Sequence, residues 1–245
     1  MKILFSPSET KISGGSDKKL DSSSFIFPEL FEKRLQILNS YNDFLSSASK
    51  DKLEKLFGTK KDDVIQKYKT NLFSKPLLKA ILRYEGVAYD YLDYKNLSKN
   101  EQSYIDKNVL IFSNLFGVIK ADDEIPDYKL KQGESFNNLK IEEFYNSNFS
   151  PTLDLYLENE DILDLRAGFY EKFYKIKKPY VTMKFIKDGK VVSHFAKAYR
   201  GEVLKQMAKN SIENFDDLLK MQVANLFIEE IVEKSGKKEI VYSIK

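Results

Sequence analysis

The stretch YVTMKFIKDGKVVSHFAKA, residues 180–198, decides the reading of the fold, because it carries the clearest local signal in the chain. Two runs, Tyr180 to Ile186 and Val191 to Ala198, lie on either side of Asp188-Gly189. Alternating runs joined by Asp-Gly suit a two-residue turn with positive φ, and so predict an antiparallel β-hairpin. Leu226 to Val232 and Glu239 to Ile244 flank Ser235-Gly236 and predict a second hairpin.

Working outward, Lys2 to Phe5, Asn108 to Phe112 and Ile162 to Leu165 read as short apolar strands, and Ile125 to Leu130 as an extended edge carrying Pro126. Pro28 opens a helix whose Leu30, Phe31, Leu35, Leu38, Tyr41 and Leu45 recur at helical spacing. Further helices are predicted over Leu77 to Leu82, Phe136 to Leu157, Gly201 to Lys209 and Phe215 to Leu219. Residues 52–69 read as helix, tight Gly58 turn, helix. Ile12 to Ser24 is polar, with Gly14-Gly15. Strands and helices mix without a regular βαβ alternation. The expectation is an α+β fold: a mixed, largely antiparallel sheet with surrounding helices, in a single compact domain spanning 1–245.

Hydrophobic residues make up 42% of the chain, enough for a core, and 40 basic residues nearly balance 37 acidic ones. Charge distribution says more. Lys172 to Lys205 holds ten basic and two acidic residues, whereas Glu142 to Asp164 holds seven acidic and no basic ones. An anion-binding face is one reading; a solvated lysine-rich surface is the other. The absence of cysteine excludes disulfides, thiolate metal sites and thiol catalysis. The single histidine, His194, excludes a two-histidine metal triad, and a lone histidine is usually packed or at the surface. Asp122, Asp123 and Glu124 cluster in a predicted loop, where solvated acids are the ordinary case. No apolar run approaches the ~18 residues a membrane span needs, and no secretory leader opens the chain, so a cytoplasmic protein is expected.

Nucleotide-loop, zinc-protease and serine-hydrolase motifs are all missing, so no catalytic residue, cofactor or metal is assigned. Residues 52–69 resemble a helix-hairpin-helix, whose hairpin amides face a DNA phosphate. Gly58 and Thr59 would form the hairpin, and Lys60 and Lys61 would reach phosphates. A plain helical connection is the alternative. Lys197 to Gly201 falls where a hairpin strand is expected to meet a helix, a place where Lys197 and Arg200 suit an anion, or a structural ion pair.

Five segments taken together resemble the YaaA family of bacterial peroxide-stress proteins. The opening strand with Ser6-Pro7-Ser8-Glu9-Thr10-Lys11 resembles its I-S-P-A-K-T. Ala80 to Tyr89 resembles A-I-x-x-F-x-G-x-V-Y, and Leu110 to Ile119 resembles L-x-x-L-S-G-L-Y-G-V-L. Ile125 to Gly133 resembles I-x-P-Y-R-L-E-M-G, and Phe195 to Gly201 resembles F-x-A-K-x-x-R-G. The resemblance implies a cytosolic protein of the response to hydrogen peroxide that limits free-iron damage. It also implies an unusual α+β fold with a positively charged cleft and a DNA-associated helix-hairpin-helix. Ser6, Lys11, Tyr84, Gly86, Tyr89, Ser113, Tyr128, Lys197, Arg200 and Gly201 fall in the matching motifs and are the expected cleft residues; Gly58, Thr59, Lys60 and Lys61 are the expected nucleic-acid contacts. The expected partner is DNA, held by its backbone with low sequence specificity, or else a small anionic ligand. The alternative function is an enzyme acting on a phosphorylated or nucleotide-like ligand in the same cleft. Direct iron binding by Asp122, Asp123, Glu124 and Tyr128 is a third reading. The sequence departs from the family pattern at Glu9, where the motif has lysine; Lys11 lies two positions later. Asn114 stands in place of a motif glycine, and Arg166 adds a charge unusual at its place.

Overall fold

A computed structural model describes residues 1–245 apart from the side chains of Ser193 and His194, so the surroundings of His194 lie outside what is described. The amino-terminal half contains β1 (Lys2–Phe5), β2 (Thr10–Lys11), α1 (Phe31–Ser47), α2 (Lys50–Phe57), α3 (Asp62–Tyr68), β3 (Leu77–Lys79), α4 (Ala80–Arg83), β4 (Tyr84–Glu85), α5 (Val87–Leu92), α6 (Lys99–Asn108), β5 (Val109–Ser113) and β6 (Gly117–Lys120). There follow β7 (Glu124–Pro126), α7 (Ile141–Tyr156), β8 (Ile162–Asp164), β9 (Tyr180–Lys187), β10 (Lys190–Val191), α8 (Ser193–Asn210), α9 (Phe215–Lys220), β11 (Leu226–Lys234) and β12 (Lys237–Ile244).

The main sheet runs β11-β12-β9-β8-β1-β5-β6, with β10 also paired to β9. It is mixed and surrounded by helices, as the sequence predicts. Its directions differ from the largely antiparallel expectation: β12, β9, β8, β1 and β5 are mutually parallel. In this sheet antiparallel pairing is confined to β6, β10 and β11, and the small β2–β4 and β3–β7 ladders are also antiparallel. The cause is burial on both faces. Ile3-Leu4-Phe5, Val109 to Phe112 and Ile162-Leu163 are unbroken apolar runs without alternation, and every residue of β1, β5 and β8 is buried.

The Asp188-Gly189 turn forms with both residues at positive φ, but the hairpin is cut short. Its second arm is only β10, and from Ser193 the chain is helical rather than extended. Val203, Leu204, Met207 and Ala208 explain the change: buried at helical spacing, they extend a helix back over the apparent alternation. Leu77 to Leu82 is likewise not one helix but β3 followed by the short α4. The second hairpin forms as β11 and β12 around Ser235-Gly236.

One continuous apolar cluster links the sheet to its helices and includes Met183 and Met207. Two fully buried arginines organise loops around it. Arg83 donates to the carbonyls of Ile125, Ile12 and Pro76, and Arg34 to those of Phe116, Val118 and Ile26. At the sheet edge β11 exposes Phe227, Ile228, Ile231 and Val232. No helix among the described residues is long and apolar enough to cross a membrane.

Candidate functional site

Sheet order positions the site. From β1 the chain passes to β5 on one side, then returns to β8 on the other. In sheets with parallel centres, such a reversal leaves a crevice outside the carboxyl ends of the strands, where ligands bind. A cleft of about 380 Å³ lies there. Phe5 and Ser6 at the end of β1, the loop Ser8-Glu9-Thr10, and Leu165, Ala167 and Tyr170 beyond β8 form its floor and one wall; Gly86 to Tyr89, Gln132, Lys197 and Arg200 complete it. Of the residues expected from sequence, Ser6, Gly86, Tyr89, Lys197 and Arg200 therefore converge.

Local bonds fix these positions. The Ser6 hydroxyl accepts the Ala167 N–H at 2.7 Å, tying the end of β1 to the segment after β8, while the Tyr89 hydroxyl donates to the Ser6 carbonyl at 2.9 Å. Gly86 has φ 127°, and a Cβ there would come within 3.1 Å of the Ser8 hydroxyl. Lys197 and Arg200 lie one turn apart on the same face of α8. They sit within α8, past its first turn, not at the strand-to-helix junction expected from the sequence. Gly201 does not line the cleft. It is a packing residue: a Cβ at this position would lie 1.9 Å from the Ala88 carbonyl oxygen, so its absence lets α8 press onto α5.

The cleft's cations are incompletely partnered. Arg200 Nε is buried with no hydrogen-bond partner. Burial lowers the Arg200 pKa from its ordinary value, partly offset by Asp164 and Glu171. Asp164 is itself committed to Arg166, through bonds of 2.9 and 2.8 Å in a buried pair. Arg166 also donates to the carbonyls of Tyr170 and Tyr174, so its charge is neutralised and spent on holding the segment after β8.

Lys11, Tyr84, Ser113 and Tyr128 form a layer behind the cleft loop rather than its lining. Lys11 is 7% exposed; its ammonium donates to the carbonyls of Ser8 at 3.1 Å and Glu9 at 3.3 Å and lies 4.0 Å from the Tyr128 ring centre. Burial pushes its pKa down to about 7, with Asp127 opposing the shift and Lys129 adding to it. The Tyr128 hydroxyl donates to Asn114 Oδ1 at 3.0 Å, leaving it to accept from Tyr84 at 3.0 Å and Ser113 at 2.8 Å. Burial raises the Tyr84 phenol to about 12 and holds the Tyr128 phenol well above its ordinary value. These phenols are fixed, neutral supports of the loop carrying Glu9.

The Gly58 hairpin forms. Gly58 ends α2 with φ 65°, and α3 follows from Asp62. Lys60 and Lys61 are exposed beside Thr59, whose hydroxyl accepts the Lys61 N–H. Two acids, Asp62 and Asp63, occupy the first turn of α3, and Lys50 pairs with Asp62 at 2.7 Å. The Lys131 side chain lies against Gly58, its main-chain N–H donates to the Leu56 carbonyl, and the neighbouring Gln132 lines the cleft. Hairpin and cleft thus adjoin through two consecutive residues.

Ser8, Thr10, Gln132 and Tyr170 are cleft residues that sequence reasoning did not single out. Three lie in motifs quoted for the resemblance or beside them; only the parallel register of β1 and β8 brings them together. The acidic triplet is engaged in structure: Asp122 pairs with Lys120, Glu124 with Lys18, and Asp123 accepts the N–H groups of Ile26 and Lys120. No group of three or more metal-ligating acids or histidines occurs among the described residues.

Residues 1–231 match the family described as peroxide stress protein YaaA. An uncharacterised protein of Campylobacter jejuni is 52% identical over 100% of this chain and 99% of its own length. A UPF0246 protein of Corynebacterium glutamicum is 34% identical, covering 94% of this chain and 95% of that one. Another UPF0246 protein, from Fusobacterium nucleatum, is 28% identical over 91% of each chain.

Proposed function

From the premise that the chain belongs to the peroxide stress protein YaaA family, we propose that it acts in the cytoplasmic response to hydrogen peroxide by binding DNA, so limiting damage from free iron. The Gly58 hairpin with Lys60 and Lys61 contacts backbone phosphates, and the adjoining cleft takes an anionic group. The observation that carries this reading is the continuity of the two features. Lys131 packs on Gly58 while its neighbour Gln132 lines the cleft, so the hairpin and the cleft adjoin. Asp62 and Asp63 limit the affinity, because a phosphate at the hairpin must approach them. Binding of duplex DNA measured against salt concentration is the test. Each phosphate contact contributes a slope near one, so Lys60→Ala and Lys61→Ala should each flatten the slope by about one. Affinity indifferent to salt would overturn the proposal.

A second reading has its own support. The position of the cleft at the strand-order reversal, with the unpartnered Arg200 Nε, suits a small phosphorylated or nucleotide-like ligand. Under this reading the protein is an enzyme or ligand-responsive binder. Thermal-shift screening of phosphorylated metabolites tests it. Occupancy at a hundred times Kd stabilises by about 2.7 kcal/mol, and Arg200→Ala should abolish the shift.

A further inference from the structure

Resting on the reading of the cleft as an oxyanion site, we infer that its ligand is a small zwitterion, with its oxyanion between Lys197 and Arg200 and a protonated amine on Glu9. Glu9 is then the residue that sets the ligand class.

Charges of both signs in the cleft lack ion-pair partners among the described residues. Glu9 lines the cleft, and its Oε1 accepts the Gln132 N–H at 3.1 Å, which orients the carboxylate across a loop junction. No lysine or arginine forms an ion pair with it among the described residues. Lys11, two residues on, does not serve: it turns inward and spends its ammonium on main-chain carbonyls, including that of Glu9 itself. Lys197 and Arg200 line the same cleft and also lack a carboxylate within ion-pairing distance among those residues, and Arg200 Nε is buried and unbonded. Both signs of charge therefore face one space of about 380 Å³ without quenching each other.

A ligand of one sign gains at one end and is repelled at the other. A zwitterion is matched at both ends, and selectivity between ligands follows from that difference. The volume falls at the small end of the range for metabolite sites, which suits a compact molecule and not a polymer segment. A DNA strand laid through the cleft would bring a phosphate against the Glu9 carboxylate. The two anion-seeking features therefore divide the work: the hairpin meets the polyanion, and the cleft takes the zwitterion.

The test uses the full-length protein and two probes that differ only in the amine, phosphoethanolamine and ethyl phosphate, with affinity measured by calorimetry at pH 7. Phosphoethanolamine should bind about twofold to fivefold more tightly, the upper part of the range for an exposed ion pair, because the carboxylate is already oriented. Glu9→Gln keeps an oxygen to accept the Gln132 N–H, so the fold persists; it should bring the two probes to equal affinity at the level of ethyl phosphate. Arg200→Lys should weaken both. Equal binding of the probes by the wild-type protein, or an undiminished preference in Glu9→Gln, would overturn the inference while leaving the oxyanion site standing. Failure of both probes to bind would remove the oxyanion site and the inference together.

Discussion

At the residue scale, the side chains that matter most are cations without carboxylates. Arg83 is 0% exposed and satisfies three carbonyls from three separate segments. Arg83→Ala leaves them unpaired in the interior, and should cost about 3 kcal/mol or more in urea unfolding, while Arg83→Lys recovers little because an ammonium cannot span the fork. Lys11 gives a pH signature. Its folded-state pKa of about 7 lies below the ordinary 10.5, so between these values the unfolded chain binds more protons and stability rises with pH. Relative to Lys11→Met, the wild-type protein should gain about 1–2 kcal/mol between pH 7 and pH 9, at up to about 1.4 kcal/mol per unit. A constant difference between the two proteins across that window would contradict the assignment. These residues also mark how far the sequence could be read. Motif positions identified Ser6, Gly86, Tyr89, Lys197 and Arg200, which do meet in the cleft. The same reasoning grouped Lys11, Tyr84, Ser113 and Tyr128 with them, because spacing reports that a residue is polar and near a turn, not which way the loop faces it. Here the loop turns Lys11 inward and presents Glu9.

At the element scale, glycine decides two contacts. Gly201 lets α8 touch the backbone of α5, and both helices line the cleft. Gly201→Ala must push them apart against a main-chain oxygen, with no flexible atom to yield. It should lose about 2 kcal/mol or more and weaken oxyanion binding, measured by thermal unfolding and by calorimetry. Gly58→Ala meets only the flexible Lys131 chain, so its cost should be near the roughly 1 kcal/mol of a left-handed non-glycine residue. Comparing the two variants checks the packing account. The strand directions were legible in principle. Unbroken apolar runs at Ile3 to Phe5 and Val109 to Phe112 mark strands covered on both faces, the habit of parallel sheets. The Asp-Gly turn drew the reading toward hairpins instead. That turn does form, but alternation over a few residues cannot fix how far its second arm runs when a helix-forming segment follows at once.

At the scale of the whole molecule, the carboxyl-terminal hairpin is part of the fold and not an appendage. β12 lies beyond the residues matched by the family, yet it pairs in parallel with β9 from Lys237↔Tyr180 to Ser243↔Ile186, and Phe185 stacks on Tyr242. Removing residues 225–245 would expose one side of β9 and its buried aromatic face. The shortened chain should lose the single cooperative unfolding transition, seen as non-coincident curves by far-ultraviolet circular dichroism and tyrosine fluorescence. The cleft shows why global topology was the least legible level: its walls come from segments near residues 6, 86, 132, 167 and 200, and only the return of the chain to the far side of β1 joins them. The sulfur content of this core has a chemical consequence as well. Peroxide attacks thiols and thioethers; this chain has no thiol, and of its four methionines Met183 and Met207 are sealed in the interior while Met1 and Met221 are only partly covered. The polar side chains of the cleft are an amine, a guanidinium, hydroxyls and a carboxylate, which peroxide leaves alone, so oxidation of this protein should fall first on the thioethers of Met1 and Met221, away from the cleft.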